Sequence, residues 1–134
     1  MNTQHNQKEE MPGMRLMALL ENHLLEILDK ERDNQAAIHL YSTGTHWVAF
    51  ERSAYQLLRL SPRIIVTPMS LTIYPFPIVM ASLTDRELRS SSRMRSFLRE
   101  KKDYGWLAVP ELSLSGYKKW HREEVGDFPV TSVR

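Results

Sequence analysis

Residues Ala37–Ala54 read AIHLYSTGTHWVAFERSA, and this stretch says more about the fold than any other part of the chain. Ile38 and Leu40 alternate with His39 and Tyr41, and His46, Val48 and Phe50 alternate with Trp47 and Ala49. A period of two is the signature of a strand. The two runs are joined by Thr43-Gly44-Thr45, a small polar tip with glycine at its centre, which predicts a hairpin. Glu51–Leu60 then predicts a helix whose inner side is Ala54, Leu57 and Leu58, stopped at Ser61-Pro62. The strand leaving the turn carries His46 and Trp47. Such a pair either stacks on a flat ligand or supplies a core aromatic.

Outward from the hairpin, strands alternate with helices. Before it, Leu16, Leu20, Leu24, Ile27 and Leu28 recur at spacings of three and four, predicting an amphipathic helix over Pro12–Arg32. Met17, Leu19 and Leu25 widen its stripe enough to pack on two sides. After it, Ile64–Thr67 and Ile78–Ser82 read as short strands, with Leu71–Tyr74 as a third between Pro68 and Pro75. Thr84-Asp85-Arg86-Glu87 fits a capping box, and the helix it opens is expected to reach Lys102, with Met94, Phe97 and Leu98 on its apolar side. Ser90-Ser91-Ser92 interrupts that pattern. Asp103-Tyr104-Gly105 is a turn into a strand at Trp106–Val109, and Tyr117–Glu124 is weakly helical. The expected class is α/β (α+β): a small mixed sheet with helices packed on it. Residues 1–11 are expected to be disordered, 12–124 to form one globular domain and 125–134 a tail.

A chain of 134 residues is long enough for one domain with a real core. It has no cysteine, which excludes disulfides, thiolate metal sites and cysteine nucleophiles and suits a reducing, cytoplasmic setting. No apolar run is long enough to span a membrane, so no membrane role is expected. Net charge is only +2, but residues 85–102 hold seven basic and three acidic side chains, a local net of +4, whereas residues 1–34 hold four and seven. A concentrated basic segment is a candidate phosphate-binding surface; the small total charge argues against strong nonspecific binding.

The run Leu40–Ala54 resembles the N-terminal mismatch-recognition domain of the DNA mismatch-repair protein MutS, in which a strand, a Gly-Asp-Phe-Tyr-Glu-Leu-Phe segment and a helix follow one another. Gly44 stands at the glycine, Thr45 at the aspartate, Trp47 at the tyrosine, Phe50 at the second phenylalanine and Ala54 at the helix alanine. Pro77-Ile78-Val79-Met80-Ala81 and Asp103–Glu111 are similar to later strands of that domain, so the likeness spans about Leu20–Glu111. It implies a related fold. The family's Phe-x-Glu reading motif is replaced by His46 and Val48, and valine accepts no hydrogen bond, so reading of mispairs in the family's manner is not expected.

Two candidate features remain. One is the hairpin: Thr45, His46 and Trp47. The other is the basic segment. On a helix Arg86, Arg89 and Arg93 share one face, and Arg95, Arg99 and Lys102 another. The plain alternatives are a core tryptophan beside a solvated histidine, and a solvated charged face. His39 and His46 lie near each other only if the hairpin brings them together, and no third ligand sits at recognised metal spacing. Nucleophile elbows and phosphate loops are absent. The expected protein is therefore not an enzyme, with no metal and no cofactor: a nucleic-acid-binding or DNA-associated accessory module, with a protein–protein interaction module as the alternative.

Overall fold

In the computed structural model, which describes residues 13–126, the Gly44 hairpin lies at the centre of a six-stranded sheet. The strands are β1 (Ala37–Ser42), β2 (His46–Phe50), β3 (Ile65–Leu71), β4 (Tyr74–Thr84), β5 (Leu98–Lys101) and β6 (Tyr104–Ala108), in the order β3-β4-β2-β1-β6-β5. Every neighbouring pair is antiparallel. The helices are α1 (Met14–Arg32), α2 (Glu51–Leu60), α3 (Asp85–Ser90) and α4 (Leu114–Val125), so the α+β class expected from the pattern is the class that forms. The expected disordered segment 1–11 lies outside the described residues, as do residues 127–134 of the expected tail; Val125 is still helical.

Alternation along the strands divides the core into two layers. Tyr41, Val48, Phe50, Ile78 and Met80 face α1, where Leu20, Leu24 and Ile27 close one apolar cluster. Ile38, Leu40, Trp47, Ala49, Ala81, Leu83 and Leu107 face the other way, onto Ala54 and Leu57 of α2, Leu88 of α3 and Trp120 of α4. Met17 and Leu25 are exposed, so α1 packs on one side and not on two.

Two expectations fail around the prolines. Leu71–Tyr74 is no strand: Leu71 pairs with Tyr74, and the stretch is the turn joining β3 to β4. Pro68, Pro75 and Pro77 lie inside strands instead of ending them. The hydrogen-bond directions explain this. Val79 N–H points away from β3 and donates to Glu51 Oε1 at 2.8 Å. Amide directions alternate along a strand, so Pro75 and Pro77 lack donors on that same side, where β2 has already ended. Pro68 faces Val79 across the pair, and its missing donor therefore points off the sheet edge.

The two layers are fastened by one buried polar knot. Glu31, on the inner stripe of α1, is 1% exposed. Its Oε1 accepts from Ser53 N at 2.8 Å and Asn34 Nδ2 at 3.2 Å, and its Oε2 accepts from Ser53 Oγ at 2.5 Å. Ser53 Oγ in turn accepts from His39 N at 2.9 Å, and Asn34 bridges to Ala37 through both its amide atoms. No side chain caps α2 from its own N-cap position, Phe50. The Glu31 carboxylate supplies that service from another helix, a favourable place for negative charge.

Burial nonetheless pushes the Glu31 carboxyl up to about 7, against the Ser53 and Asn34 hydrogen bonds that pull it down. A raised acid binds extra protons in the folded state between the unfolded pKa of 4.5 and about 7, so its contribution to stability is full below that window and fades as pH rises through it. The stability gap between wild type and Glu31→Gln should therefore shift against wild type as pH goes from 4.5 to 7, by up to on the order of 3 kcal/mol. Denaturant titrations of both proteins across that range check it; a constant gap would show that Glu31 does not titrate there.

Candidate nucleic-acid interface

The hairpin tip is built from the turn residues the sequence announced. Gly44 has φ of +106°, a conformation L side chains rarely adopt. Ser42 Oγ accepts from Gly44 N at 3.2 Å, and Thr43 N donates to His46 O at 2.8 Å. Arg15 of α1 lies so close that a Cβ at Gly44 would meet its Nη1 at 3.2 Å. The tip is tied to the basic segment, since Asp85 N, at the start of α3, donates to Thr45 O at 3.1 Å.

His46 and Trp47 then part. Successive residues of a strand point to opposite faces, so His46 projects on the α1 side, exposed, with its Nδ1 2.8 Å from Thr45 Oγ1. Trp47 projects the other way and is 1% exposed. Its Nε1 donates to Asp85 Oδ1 at 2.9 Å, the Phe97 ring meets it edge-on at 5.3 Å, and the Arg99 guanidinium lies 5.1 Å above its ring. The two side chains therefore form no stacking pair. Trp47 is a core residue beside an exposed histidine, the plainer of the two readings.

The basic segment is not one helix. The capping box forms as the sequence predicts: Glu87 N donates to Thr84 Oγ1 at 3.0 Å and Thr84 N to Glu87 Oε1 at 2.7 Å. The helix ends at Ser90, a short 3₁₀ turn takes Ser92–Met94, and Leu98–Lys101 is the edge strand β5. Serines compete for backbone hydrogen bonds and weaken a helix, while Leu88 and Met94 both bury in the layer beneath and turn the chain back on itself. Gly105 receives β5 at close range; a Cβ there would stand 2.3 Å from Phe97 Cζ.

The helical faces assigned to the arginines thus do not exist, but the reversal gathers several of them. Arg89, Arg95 and Arg99 line a groove of about 550 Å³ together with Ser90, Ser91 and Ser92, over a floor that includes Trp47 and Phe97. Arg89 Nε is 3.1 Å from Asp85 Oδ2, an exposed pair of small energetic weight. Arg99 donates twice to Lys102 O, at 3.1 and 2.6 Å. Arg95 carries no ion pair or side-chain hydrogen bond among the described residues, and neither does Arg86, which stands on exposed α3. Arg93 is diverted: its Nη1 donates to Leu60 O at 3.2 Å and caps the end of α2.

Cavities also flank α1. One of about 590 Å³ opens between the ends of α1 and α2, lined by Glu31, Glu51, Arg52, Tyr74 and Tyr117 among others. Glu51 is held there at φ +52°, its Oε1 accepting from Val79 N and meeting His121 Nε2 at 2.9 Å. Another, of about 440 Å³, lies between α1 and the β5–β6 hairpin. His39 sits beside it on the same sheet face as His46 but at the other end of the hairpin, with Nδ1 2.8 Å from Tyr104 Oη. Among the described residues no three His, Asp or Glu side chains are placed to hold a metal ion, and no helix is long and apolar enough to cross a membrane. Sequence reasoning passed over Glu31, Glu51, Ser53 and Tyr41. The one available signal was Glu31 falling on the buried stripe of α1, four residues after Ile27.

Comparison with family models, with curated proteins and with solved structures gives no match. The likeness to the mismatch-repair domain therefore stays with the residues quoted for it.

Trp47→Phe keeps an aromatic ring under Arg99 but removes the donor to Asp85. The expected loss is about 1–3 kcal/mol in denaturant titration, whereas an exposed reading residue would cost almost nothing. Burial, and then the Lys30 ammonium, hold the His39 imidazole down at about 4. A depressed histidine contributes stability that is full above the unfolded pKa of 6.5 and is lost as pH falls toward about 4. His39→Gln should flatten that acid-side loss, checked by thermal melts at pH 7 and pH 5.

Proposed function

We propose that the protein is a non-catalytic nucleic-acid-binding or DNA-associated accessory module that grips phosphates in the groove of Arg89, Arg95 and Arg99. The observation that carries this reading is the convergence of three guanidinium groups and the Ser90–Ser92 segment on one open groove, with Arg95 unpaired. Guanidinium groups match phosphate oxygens in bidentate geometry, and the exposed Arg86 extends the positive surface along α3. Phosphate contacts position a nucleic acid without reading its sequence. With Trp47 committed to the core and His46 on the opposite face of the sheet, the groove offers phosphate contacts without a stacking residue. A relation in fold to the MutS mismatch-recognition domain suits a DNA-associated role, while His46 and Val48 at the reading positions remove discrimination of mispairs.

A second reading has its own observation. Ile73 and Phe76 are exposed at the turn end of β3 and β4, the far end of β4 from Asp85 and the groove, and Ile65 is exposed on the edge strand β3. Exposed apolar side chains beside an open strand edge suit a protein–protein interaction module with no nucleic-acid role.

Titration of matched duplex, mismatched duplex and single-stranded DNA at two salt concentrations tests the first reading. Binding is expected at low salt, with equal affinity for matched and mismatched duplexes and a log–log salt slope of about −3. Arg89→Glu with Arg95→Glu should weaken it by about a hundredfold or more, and Ile65→Ser should leave it unchanged. Absence of binding at the lower salt would leave the interaction module as the better account.

A further inference from the structure

The course of the chain gives the arginine groove a shape as well as a charge. α3 supplies Asp85 and Arg89 on one side, the chain turns through Ser90–Ser92, and Arg95 and Arg99 return along the other. The groove is therefore a U, closed at the serine turn, with Trp47 at its base.

Two of the three guanidinium groups are set in place by that base. Asp85 accepts from Trp47 Nε1 through Oδ1 at 2.9 Å, and its Oδ2 lies 3.1 Å from Arg89 Nε. Arg99 lies 5.1 Å over the Trp47 ring, with its Nε and Nη2 donating to Lys102 O. These contacts leave both Nη groups of Arg89 and Nη1 of Arg99 without a partner among the described residues, and Arg95 and the exposed Ser92 hydroxyl have none there either. Asp85 is the one carboxylate lining the groove, so three positive groups less one negative leave a net charge of +2. The groove thus selects an anion, and its free donors point to a doubly charged one with several open oxygens.

Resting on the phosphate-grip reading above, we propose that the groove takes the terminal phosphate of a nucleic-acid strand, a phosphate monoester dianion, in preference to the internal diesters of the backbone. A monoester carries a charge of about −1.5 to −2 at neutral pH and has three acceptor oxygens, which suits guanidinium groups that bind in bidentate fashion. It enters end-on, with a single ester link. An internal diester carries one charge and has chain on both sides, which the closed end of the U obstructs. Recognition of this kind needs no base contact, in keeping with a groove that has no stacking residue. Internal phosphates resting across the mouth are the rival occupants.

One short single strand in three forms tests the proposal: 5′-phosphorylated, 3′-phosphorylated, and with hydroxyl ends but lengthened to the same total charge. Titrations of the full chain at low salt are expected to show at least one phosphorylated form binding about tenfold or more tighter than the hydroxyl form. Arg95→Gln, which breaks no contact of the folded chain, should erase that advantage. The advantage should also shrink severalfold at pH 5, because the monoester takes up its second proton with a pKa of about 6; the groups that face it are the three arginines and Asp85, and no histidine lines the groove. Phenyl phosphate, followed by amide chemical shifts, is the small probe and should move the groove residues saturably. Equal binding of all three strands, or an advantage that survives Arg95→Gln, overturns the proposal and leaves the phosphate-grip reading standing. Binding of phenyl phosphate without binding of any strand removes the nucleic acid and leaves a site for small phosphate monoesters. Binding of neither overturns both.

Discussion

The acceptance of the Ser53 amide by the Glu31 carboxylate is the interaction on which the rest of the structure hangs. It joins the last turn of α1 to the first turn of α2, and through Ser53 Oγ it reaches the backbone of β1 at His39. α1 lies on one face of the sheet and α2 on the other, so this contact passes around the sheet's end and fixes the two layers together. Hydrophobic burial sets how much surface each layer removes from water, but it is not directional. The knot supplies the direction. Breaking one partner of such a network leaves the others buried and unpaired, which is why its members stand or fall together.

Two residues before Ser53, Glu51 performs a related service under strain. Its backbone is held at φ +52°, an uncommon place for a residue with a side chain. In return its carboxylate stands where the next β2 residue would have stood, taking Val79 N–H from β4 and His121 from α4. The strand-to-helix junction thus continues the sheet's hydrogen bonding with a side chain. Beyond that point β4 has no neighbour on this side, and there its prolines cost nothing. Position matters more than residue type: the same proline that breaks a central strand is harmless where no donor is wanted.

This explains what the sequence revealed and what it hid. The Ala37–Ala54 hairpin and helix, the inner stripe of α1 and the Thr84–Glu87 capping box were legible because each is set by residues close in the chain. The prolines of β3 and β4 were misread because only the sheet order tells which side of a strand is free. The arginine segment was misread because helical spacing is a local pattern, whereas the burial of Leu88, Met94 and Phe97 against a distant Trp47 is not. Arg89, Arg95 and Arg99 still gather, by a chain reversal and not along a helical face. Buried Glu31 and Ser53 and the orphaned Tyr41 hydroxyl were invisible for a similar cause: a polar residue reads as solvated until its surroundings are known.

The two outer strands of the sheet are unlike, and that inequality governs how many copies of the chain can join by strand pairing. β5 is four residues long and carries Arg99, Glu100 and Lys101, a short charged edge of the kind that resists pairing. β3 is seven residues long with Ile65 open to solvent, yet Pro68 presents no donor at its middle. Two copies meeting through β3 would each use up their receptive edge and leave β5 on both outsides. Growth along the sheet then stops at a pair, so a strand that looks like a template for fibrils is limited by its opposite edge to a closed, countable assembly.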